Sequence, residues 1–384
     1  MLDSDNNIAF LFGAGVSLPS GLPKTDELTD IVLKGENIVR ISGKYFYSDN
    51  PEQFSYNYEN EYVNRIKKLF HVLQNYFGNH YSFMNRRMNY EDYFYMIDSM
   101  HSDENMEFEN PLVEYFSDHL FKVHSYLFEP LCDFYSSINL ITLMSEAKNY
   151  IRDIVAFYLG KIPDNLCQFN LLNEVNADSN YHKIFVSTLN HDLLIEEFFL
   201  KNCIKFSEGF TDKNKETKVW DNEAFTDRFN LLKLHGSINW SRFDSNDPYE
   251  KKVCIYKSTR RTSGEESPVI IVGSFNKLKD YSHGAFFDLQ CLFSEFLSYS
   301  DRLIISGYGF GDQGINSRII NWLYGSRDRK IIVIHKNEDE LFRYSRPAIN
   351  TVWENDKKDN TDLIRIIPKW IEETSWQEIR GILT

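Results

Sequence analysis

Six short, nearly uninterrupted apolar runs recur along the chain and predict buried strands. They are rich in β-branched residues, and they lack the alternation of polar and apolar positions found in a strand that faces water on one side. Unbroken apolar strands are typical of parallel sheets covered by helices on both faces. The predicted strands are Ile8–Phe12, Lys183–Thr188, Leu231–Leu234, Val269–Val272, Arg302–Ser306 and Lys330–His335.

Helical spacing of apolar residues appears between several of these runs, at Asp192–Asn202, Ala285–Tyr299 and Ile315–Tyr324. Strands that alternate with helices of this length favour parallel strand pairing, since each crossover helix returns the chain to the end of the sheet where the previous strand began. The pattern predicts an α/β fold with a Rossmann-like, doubly wound parallel sheet.

The first two predicted strands are separated by about 170 residues, far more than one crossover helix requires. Apolar residues recur at helical spacing in Val63–Phe77, Glu91–Met100 and Pro111–Tyr126. This interval therefore predicts a large, mainly helical insertion. The expected domains are a sheet domain from residues 1–35 and 180–340, a helical insertion at 36–179, and a C-terminal extension at 341–384.

Charge and cysteine spacing exclude several classes of protein. The net charge of −14 argues against direct nucleic-acid binding, because phosphate neutralisation by Lys and Arg supplies most of that affinity. The closest two of the five cysteines, Cys132 and Cys167, are 35 residues apart, which leaves no paired-cysteine zinc module and no disulfide framework. With no apolar run of membrane-spanning length and an acidic N-terminus, we expect a cytoplasmic protein.

The first stretch with candidate chemistry is a glycine-rich turn, Gly13 to Pro23, directly after the first predicted strand. Glycines allow a sharp turn and let the backbone approach a pyrophosphate closely. The spacing departs from G-x-G-x-x-G, because Gly21 comes six positions after Gly15. By itself the pattern fits a nucleotide loop or a plain strand-to-helix turn.

Polar residues end the second and third predicted strands. Thr188, Asn190 and Asp192 follow one apolar run, and His235 with Gly236 follows the next. Open α/β sheets bind ligands at this carboxyl edge. Taken singly, Asp192 also fits a helix cap, and His235 also fits a hydrogen-bonded core histidine.

In combination and in order, these stretches resemble the motifs of the sirtuin family. That family carries G-A-G-x-S-x-x-S-G-[IL]-P, T-Q-N-x-D and H-G; the matching residues here begin at Gly13, Thr188 and His235, and "SGYGFGD" follows at residues 306–312. The resemblance covers about residues 5–35 and 180–340. It implies that NAD+ is a substrate held by a sirtuin-type NAD-binding domain.

By this resemblance, each motif has an expected role. Asn190, Asp192 and His235 would be catalytic, with the first two beside the nicotinamide ribose and His235 as the general base. The remaining expected NAD-binding residues are Gly13, Ala14, Gly15, Ser17 and Pro23 of the glycine loop, Thr188 of the second motif, and Gly307 and Tyr308 beside the adenosine half.

The chain also departs from the family pattern. It lacks the zinc module of sirtuin deacylases, so no zinc is expected, and Leu189 replaces the family glutamine. Such divergent sirtuin-like proteins with a helical insert resemble the NAD+ hydrolases of bacterial antiphage defence, which deplete NAD+ in abortive infection. The architecture is most similar to the sirtuin subunit that assembles, as a homo-oligomer, with a HerA-type hexameric ATPase. The alternatives are an NAD-dependent deacylase or ADP-ribosyltransferase, and a non-catalytic nucleotide sensor.

Overall fold

The computed structural model describes residues 7–54, 59–83, 86–107, 109–130, 137–243, 252–257, 267–273 and 277–383. The strands are β1 Asn7–Phe12, β2 Ile38–Ile41, β3 Lys44–Tyr47, β4 Lys183–Thr188, β5 Phe206–Ser207, β6 Phe210–Asp212, β7 Thr217–Trp220, β8 Phe229–Lys233, β9 Ser241–Phe243, β10 Lys252–Tyr256, β11 Arg302–Ser306, β12 Lys330–Ile334 and β13 Ile364–Ile367. The α-helices are α1 Thr25–Lys34, α2 Asn60–Phe83, α3 Tyr90–Glu104, α4 Pro111–Val123, α5 Leu140–Leu159, α6 Asn170–Ala177, α7 Leu194–Lys201, α8 Lys277–Asp280, α9 Gly284–Ser298, α10 Gln313–Leu323, α11 Glu338–Tyr344, α12 Pro347–Asp359 and α13 Trp376–Leu383.

Two compact units make up the chain. The sheet unit comprises residues 1–22, 161–261 and 280–384, and the helical unit comprises residues 23–160 and 262–279. Their boundaries differ from those of the predicted domains, because residues 23–35 group with the helices and residues 161–179 and 341–384 group with the sheet.

A seven-stranded sheet forms the centre of the sheet unit, in the order β13-β12-β11-β1-β4-β8-β5 within the part of the chain described. Every neighbouring pair in it is parallel. This confirms the predicted Rossmann-like α/β class. All six residues of β1 are buried, as expected for a central strand covered on both faces.

Two further features complete this unit. Strands β6, β7, β9 and β10 form a separate antiparallel sheet, in the order β6-β7-β10-β9. Helix α13, in the C-terminal extension, is anchored by Trp376. The indole N–H of Trp376 donates to Asp178 Oδ2 at 2.8 Å, and its ring centroid lies 6.5 Å from that of Phe10. The extension is therefore part of the sheet unit's core.

The predicted strand Val269–Val272 is wrong. Only Ile270 has a bridge-type pairing, and its amide bonds back to the carbonyl of Pro268 at 3.1 Å. Ile270 and Val272 belong instead to the hydrophobic core of the helical unit, which explains why the run is apolar without being a sheet strand.

The helical unit has one core of apolar residues from α1 to α5. It also contains the β2–β3 hairpin, whose turn residues Ser42 and Gly43 both have positive φ angles of 50° and 80°, as a type I′ turn requires. Arg40 on β2 binds Glu59 at 2.6 Å and Glu146 of α5 at 2.7 Å, and Tyr45 Oη donates to Glu146 at 2.5 Å. This half-buried network ties the hairpin to the helices.

Among the residues described, no helix combines the length and apolar character needed to cross a membrane.

Candidate functional site

The carboxyl ends of four strands lie in one row across the central sheet. Phe12 pairs with both Ser306 and Thr188, and Thr188 pairs with Lys233. Because neighbouring strands are about 4.8 Å apart, the residues that follow these positions share one edge of the sheet. Among the sequence-predicted residues of the sheet unit, Thr188 is part of this row and the others lie within five positions after it, on the segments that follow β1, β4, β8 and β11.

The order of the strands reverses beside β1, since β4 and β8 extend the sheet to one side and β11 and β12 to the other. This is the topological switch point, where open α/β sheets form a crevice. The loop after β1 is thus placed where a ligand of this fold would bind.

The glycines of that loop pack against the loop after β11. Gly13 N donates to the Ser306 carbonyl at 3.0 Å, and Gly15 N donates to the Gly307 carbonyl at 2.9 Å. A Cβ on Gly13 would lie 2.6 Å from Gly307 O, and a Cβ on Gly15 would lie 2.7 Å from Gly307 Cα. Glycine is therefore required at these two positions because the two backbones are in contact. This reason differs from the one expected from the sequence, which was close approach to a pyrophosphate. Exposed Ala14 takes no part in these hydrogen bonds.

Asn190 is buried and its amide nitrogen faces the glycine loop. Its Nδ2 donates to the Gly13 carbonyl at 3.1 Å and to Ser17 Oγ at 2.9 Å. A carbonyl oxygen can only accept, so this contact fixes which way round the amide lies. The backbone N–H of Asn190 donates to Thr188 Oγ1 at 3.1 Å, which gives Thr188 a positioning role.

Asp192 orients the glycine loop and also shapes the start of α7. Its Oδ2 accepts the Ser17 hydroxyl at 2.7 Å, and its Oδ1 accepts the Leu194 N–H at 3.1 Å. The second bond joins a side chain to the amide two residues on, the pattern of an Asx turn. The N-cap of α7 is Leu193, so Asp192 orders the turn before the helix and does not cap it.

His235 lies in a second polar cluster, with two side chains that the sequence did not single out. Its Nε2 is 2.6 Å from Tyr281 Oη and 3.2 Å from Asp312 Oδ2. Tyr281 Oη in turn donates to Asp312 Oδ2 at 2.6 Å. Burial, together with the nearby carboxylate of Asp312, raises the pKa of Tyr281 well above its usual value of 10.0, so the phenol stays protonated.

The two clusters are joined by the loops that carry them. The Leu234 amide donates to the Thr188 carbonyl at 2.9 Å, and the Ile238 amide donates to the His191 carbonyl at 3.0 Å. The rings of His191 and His235 have centroids 6.3 Å apart. Since Asn190 and His235 each follow the paired residues Thr188 and Lys233 by two positions, they occupy equivalent places beyond adjacent strands.

Tyr308 is buried and organises the loop after β11. Its hydroxyl donates to Asn316 Oδ1 at 2.8 Å and accepts the Asp312 N–H at 3.2 Å. Asn316 Nδ2 also donates to the Phe310 carbonyl at 2.8 Å. The Tyr308 hydroxyl thus holds Asp312 in place. Gly307, at φ +66°, is the residue that makes the turn into this loop.

Beneath the Asn190 turn, Lys233 is buried with its ammonium group paired. It donates to the Asp192 backbone carbonyl and binds Glu196 Oε1 at 2.6 Å. Burial raises the pKa of Glu196, and Lys233 opposes that rise. The pair connects β8 to α7 and supports the carbonyl of Asp192.

The structure thus brings together Gly13, Ser17, Thr188, Asn190 and Asp192 and places Gly307 against the same loop. Pro23 is the first residue of the helical unit and is partly exposed. Sequence reasoning missed Tyr281, Asp312 and the Lys233–Glu196 pair. Asp312 lies inside the "SGYGFGD" stretch at residues 306–312, so its position in a motif could have identified it. Tyr281 lies in no motif.

Across the described ranges, no group of three or more His, Cys, Asp and Glu side chains is arranged to hold a metal ion.

A parallel sheet with polar clusters at the carboxyl edge beside its switch point defines a Rossmann-like α/β protein. Within it, residues 184–359 match the family model described as the SIR2-like domain. That match covers less than half of the chain, from β4 into α12.

Comparisons with solved structures give low similarity. A Sir2 homologue mutant in complex with ADP-ribose has a TM-score of 0.39 and 11% identity, covering 99% of this chain and 93% of that one. A structure described under the mechanism and regulation of Sir2 enzymes has a TM-score of 0.35 and 11% identity, covering 100% of this chain and 92% of that one. No curated protein matches the sequence.

Proposed function

We propose that this protein hydrolyses NAD+ at the bond between nicotinamide and ribose, releasing nicotinamide and ADP-ribose. Three observations support the proposal. Residues 184–359 match the SIR2-like domain. The sirtuin-type motifs that begin at Gly13, Thr188 and His235 lie at the carboxyl ends of adjacent strands β1, β4 and β8. Their side chains are buried at the edge where this fold accepts ligands.

The observation that supports the proposal most strongly is an unsatisfied hydrogen-bond acceptor on the side chain of Asn190. Its Nδ2 is held by Gly13 and Ser17, while its Oδ1 is buried and has no hydrogen-bond partner among the described residues. Leaving a buried acceptor unsatisfied costs about 1–3 kcal/mol, so such an atom in a native structure calls for an explanation. A ribose hydroxyl or a water molecule bound to Oδ1 would supply the missing hydrogen.

In the proposed reaction, the C1′–N1 bond of NAD+ breaks and its electron pair leaves with nicotinamide. Positive charge develops on the ribose as in other glycosyl transfers, and a water oxygen forms the new bond to C1′. The water gives up a proton, which balances the equation as NAD+ plus water to nicotinamide, ADP-ribose and H+. Asn190 Oδ1 would orient the ribose or the water.

His235 would accept the proton from a ribose hydroxyl or from the attacking water. Positioned acid–base catalysis contributes about a hundredfold to ten-thousandfold. Asp192, through Ser17, would keep the glycine loop and Asn190 in register for this step. The remaining loop residues of the sheet unit, Ala14, Gly15, Gly307 and Tyr308, would border the dinucleotide.

The test is product analysis of NAD+ incubated with the purified full-length protein, alone and with a co-expressed ATPase. Free ADP-ribose and nicotinamide in equal amounts are expected, and Asn190→Ala or His235→Ala should lower the rate at least about a hundredfold. His182→Ala, an exposed histidine of the same unit, is the control.

Other outcomes identify the alternatives. ADP-ribose attached to protein would indicate a transferase, and loss of acyl groups from a lysine peptide would indicate a deacylase. Bound but unconsumed NAD+ in every condition would indicate a nucleotide sensor. Unchanged turnover in Asn190→Ala would contradict the assigned site.

We further propose a cytoplasmic role in antiphage defence, in which NAD+ depletion aborts infection and a homo-oligomer of this chain assembles with a HerA-type hexameric ATPase. This part rests on the motif resemblance and on the helical unit between β1 and β4. The test is co-purification of this chain with a co-expressed HerA-type ATPase, with cellular NAD+ measured after phage challenge. A fall in NAD+ that also occurs with His235→Ala would contradict it.

A further inference from the structure

The strongest unassigned feature is the contact of His235 with Tyr281 and Asp312. These side chains come from three separate segments: the loop after β8, the segment before α9, and the loop before α10. His235 and Asp312 have only 5% and 6% of their side chains exposed. A buried imidazole, phenol and carboxylate in mutual contact form a hydrogen-bonded unit rather than a chance surface contact.

We propose that Asp312 and Tyr281 are positioning residues that hold the His235 imidazole in one orientation and one tautomer, with the proton on Nε2. The proposal rests on the proposed hydrolysis for its functional meaning. The geometry of the three side chains carries its structural part.

Proton counting fixes the direction of each hydrogen bond. A carboxylate accepts only, so the Tyr281 hydroxyl gives its hydrogen to Asp312 Oδ2 at 2.6 Å. The Tyr281 oxygen is then an acceptor towards His235 Nε2, which lies 2.6 Å away. Asp312 Oδ2 is a second acceptor 3.2 Å from the same nitrogen. Both neighbours therefore favour a hydrogen on Nε2 of the neutral ring.

Each member of the pair is itself anchored. Asp312 is the N-cap of α10, and its Oδ1 accepts the Ile315 N–H at 3.0 Å while Oδ2 faces the other two groups. Its backbone amide is bound by the Tyr308 hydroxyl. The Tyr281 ring is nearly parallel to that of His235, at 26°, and the Arg318 guanidinium lies 5.9 Å from the Tyr281 ring centroid. A carboxylate with both oxygens engaged has little freedom to turn.

The chemical consequence follows from how a carboxylate acts behind a histidine. It holds the ring in the useful tautomer and stabilises the imidazolium that forms when the ring takes a proton. Loss of such a carboxylate with the shape retained lowers kcat by about ten-thousandfold where His is the base. Asp312 would act in this way on His235, and Tyr281 would keep the two at the right separation.

Asp312→Asn is the informative variant, because asparagine caps a helix as well as aspartate does and the fold should persist. We expect kcat for NAD+ hydrolysis to fall about a hundredfold to ten-thousandfold, with little change in KM. Tyr281→Phe should lower kcat about tenfold. The matched control is Asp288→Asn, which removes another carboxylate that accepts from an aromatic side chain, the indole N–H of Trp220 at 2.9 Å.

A second measurement does not depend on turnover. Nitrogen NMR of histidine-labelled protein at alkaline pH, with the His235 signals assigned through His235→Gln, reports which ring nitrogen carries the hydrogen. The Nε2–H form is expected in the unaltered protein, and its loss or mixing with the other tautomer is expected in Asp312→Asn. The same spectra of Tyr281→Phe cover the case in which Asp312→Asn fails to fold.

The outcomes separate the two proposals. An Nε2–H ring that is disturbed in Asp312→Asn, in a protein that never consumes NAD+, would refute the hydrolase and support the positioning pair. Normal NAD+ turnover and an unchanged ring in both variants would overturn the positioning pair and leave the hydrolase standing. Faster turnover in Tyr281→Phe would also overturn it, because Tyr281 would then restrain His235.

Discussion

Ser17 donates its hydroxyl hydrogen to Asp192 across 175 positions of sequence, with 2.7 Å between Oγ and Oδ2. The same Ser17 oxygen accepts from Asn190 Nδ2, so one hydroxyl links the glycine loop to both polar residues after β4. The glycine loop and the β4 turn therefore act as one structural element.

Ser17→Ala should lower the free energy of unfolding by about 1–3 kcal/mol, because it leaves a buried carboxylate oxygen and a buried amide without their shared partner. Urea unfolding measures the change. Ser317→Ala, at an exposed serine whose hydroxyl bonds within α10, should change stability by less than about 0.5 kcal/mol. Equal losses of unfolding free energy in the two variants would show that the two hydrogen bonds of Ser17 stabilise the fold no more than an exposed serine does.

Gly307→Ala should destabilise the sheet unit by about 2–4 kcal/mol. Gly307 has φ +66°, and an added Cβ would lie 2.4 Å from the backbone nitrogen of Val16, which cannot rotate away. Gly309→Ala is the matched control two residues later, since no atom lies within 4 Å of its Cβ position. Thermal unfolding of the two variants compares them directly, and similar midpoints would refute the close-contact explanation.

Glu208→Gln should make stability less dependent on pH. Burial, with repulsion from Glu196, raises the pKa of Glu208 from 4.5 to about 7, while Lys218 and Lys233 lower it. The unfolded carboxyl loses its proton near its ordinary pKa and the folded one only near 7, so the folded state holds the extra proton between them. The free energy of unfolding therefore falls as pH rises through this range.

At pH 8 we expect Glu208→Gln to be more stable than the unaltered protein by at most about 3 kcal/mol, since Glu208 is partly exposed. The gain should shrink towards zero as pH falls to about 4.5. Chemical unfolding at several pH values measures it, with exposed Glu223→Gln as control. A gain that is the same at every pH would contradict the raised pKa.

The buried Lys233–Glu196 pair should show strong coupling. Lys233→Met alone leaves Glu196 buried without its partner and should cost about 3–5 kcal/mol. Adding Glu196→Leu removes the stranded carboxylate and should recover at least half of that loss. A double-mutant cycle by urea unfolding measures the coupling; strictly additive effects would show that the two charges do not depend on each other.

The central strands could be located well from the sequence. The bounds of β4 and β11 agree with the predicted runs, and the third and sixth runs differ by one or two residues. Because their side chains are buried on both faces of the sheet, these strands consist of uninterrupted apolar runs, which can be recognised in the sequence. The same rule failed at Val269–Val272, because a segment buried in a helical core carries the same apolar signal as a strand.

The candidate site was less accessible from the sequence. Gly13, Ser17, Asn190 and Asp192 were predicted together and do lie together, because each follows a recognisable strand. The grouping of His235 with Tyr281 and Asp312 was not predicted, since Tyr281 stands outside any periodic or motif context. Tyr281 contacts His235 because the segment before α9 packs beside the loop after β8. The local sequence pattern contains no information about that packing.

By itself the sequence determined the α/β class, the large insertion after β1, and the polar groups that would end the strands, because hydrophobic period and turn residues are local properties of the chain. Only the tertiary structure decided that Gly307 would press against Gly13 and Gly15, that β5 and β13 would be the sheet edges, and that a phenol and a carboxylate would meet His235. Strand order and long-range side-chain contacts depend on how distant segments pack, and their energies appear only when those segments meet.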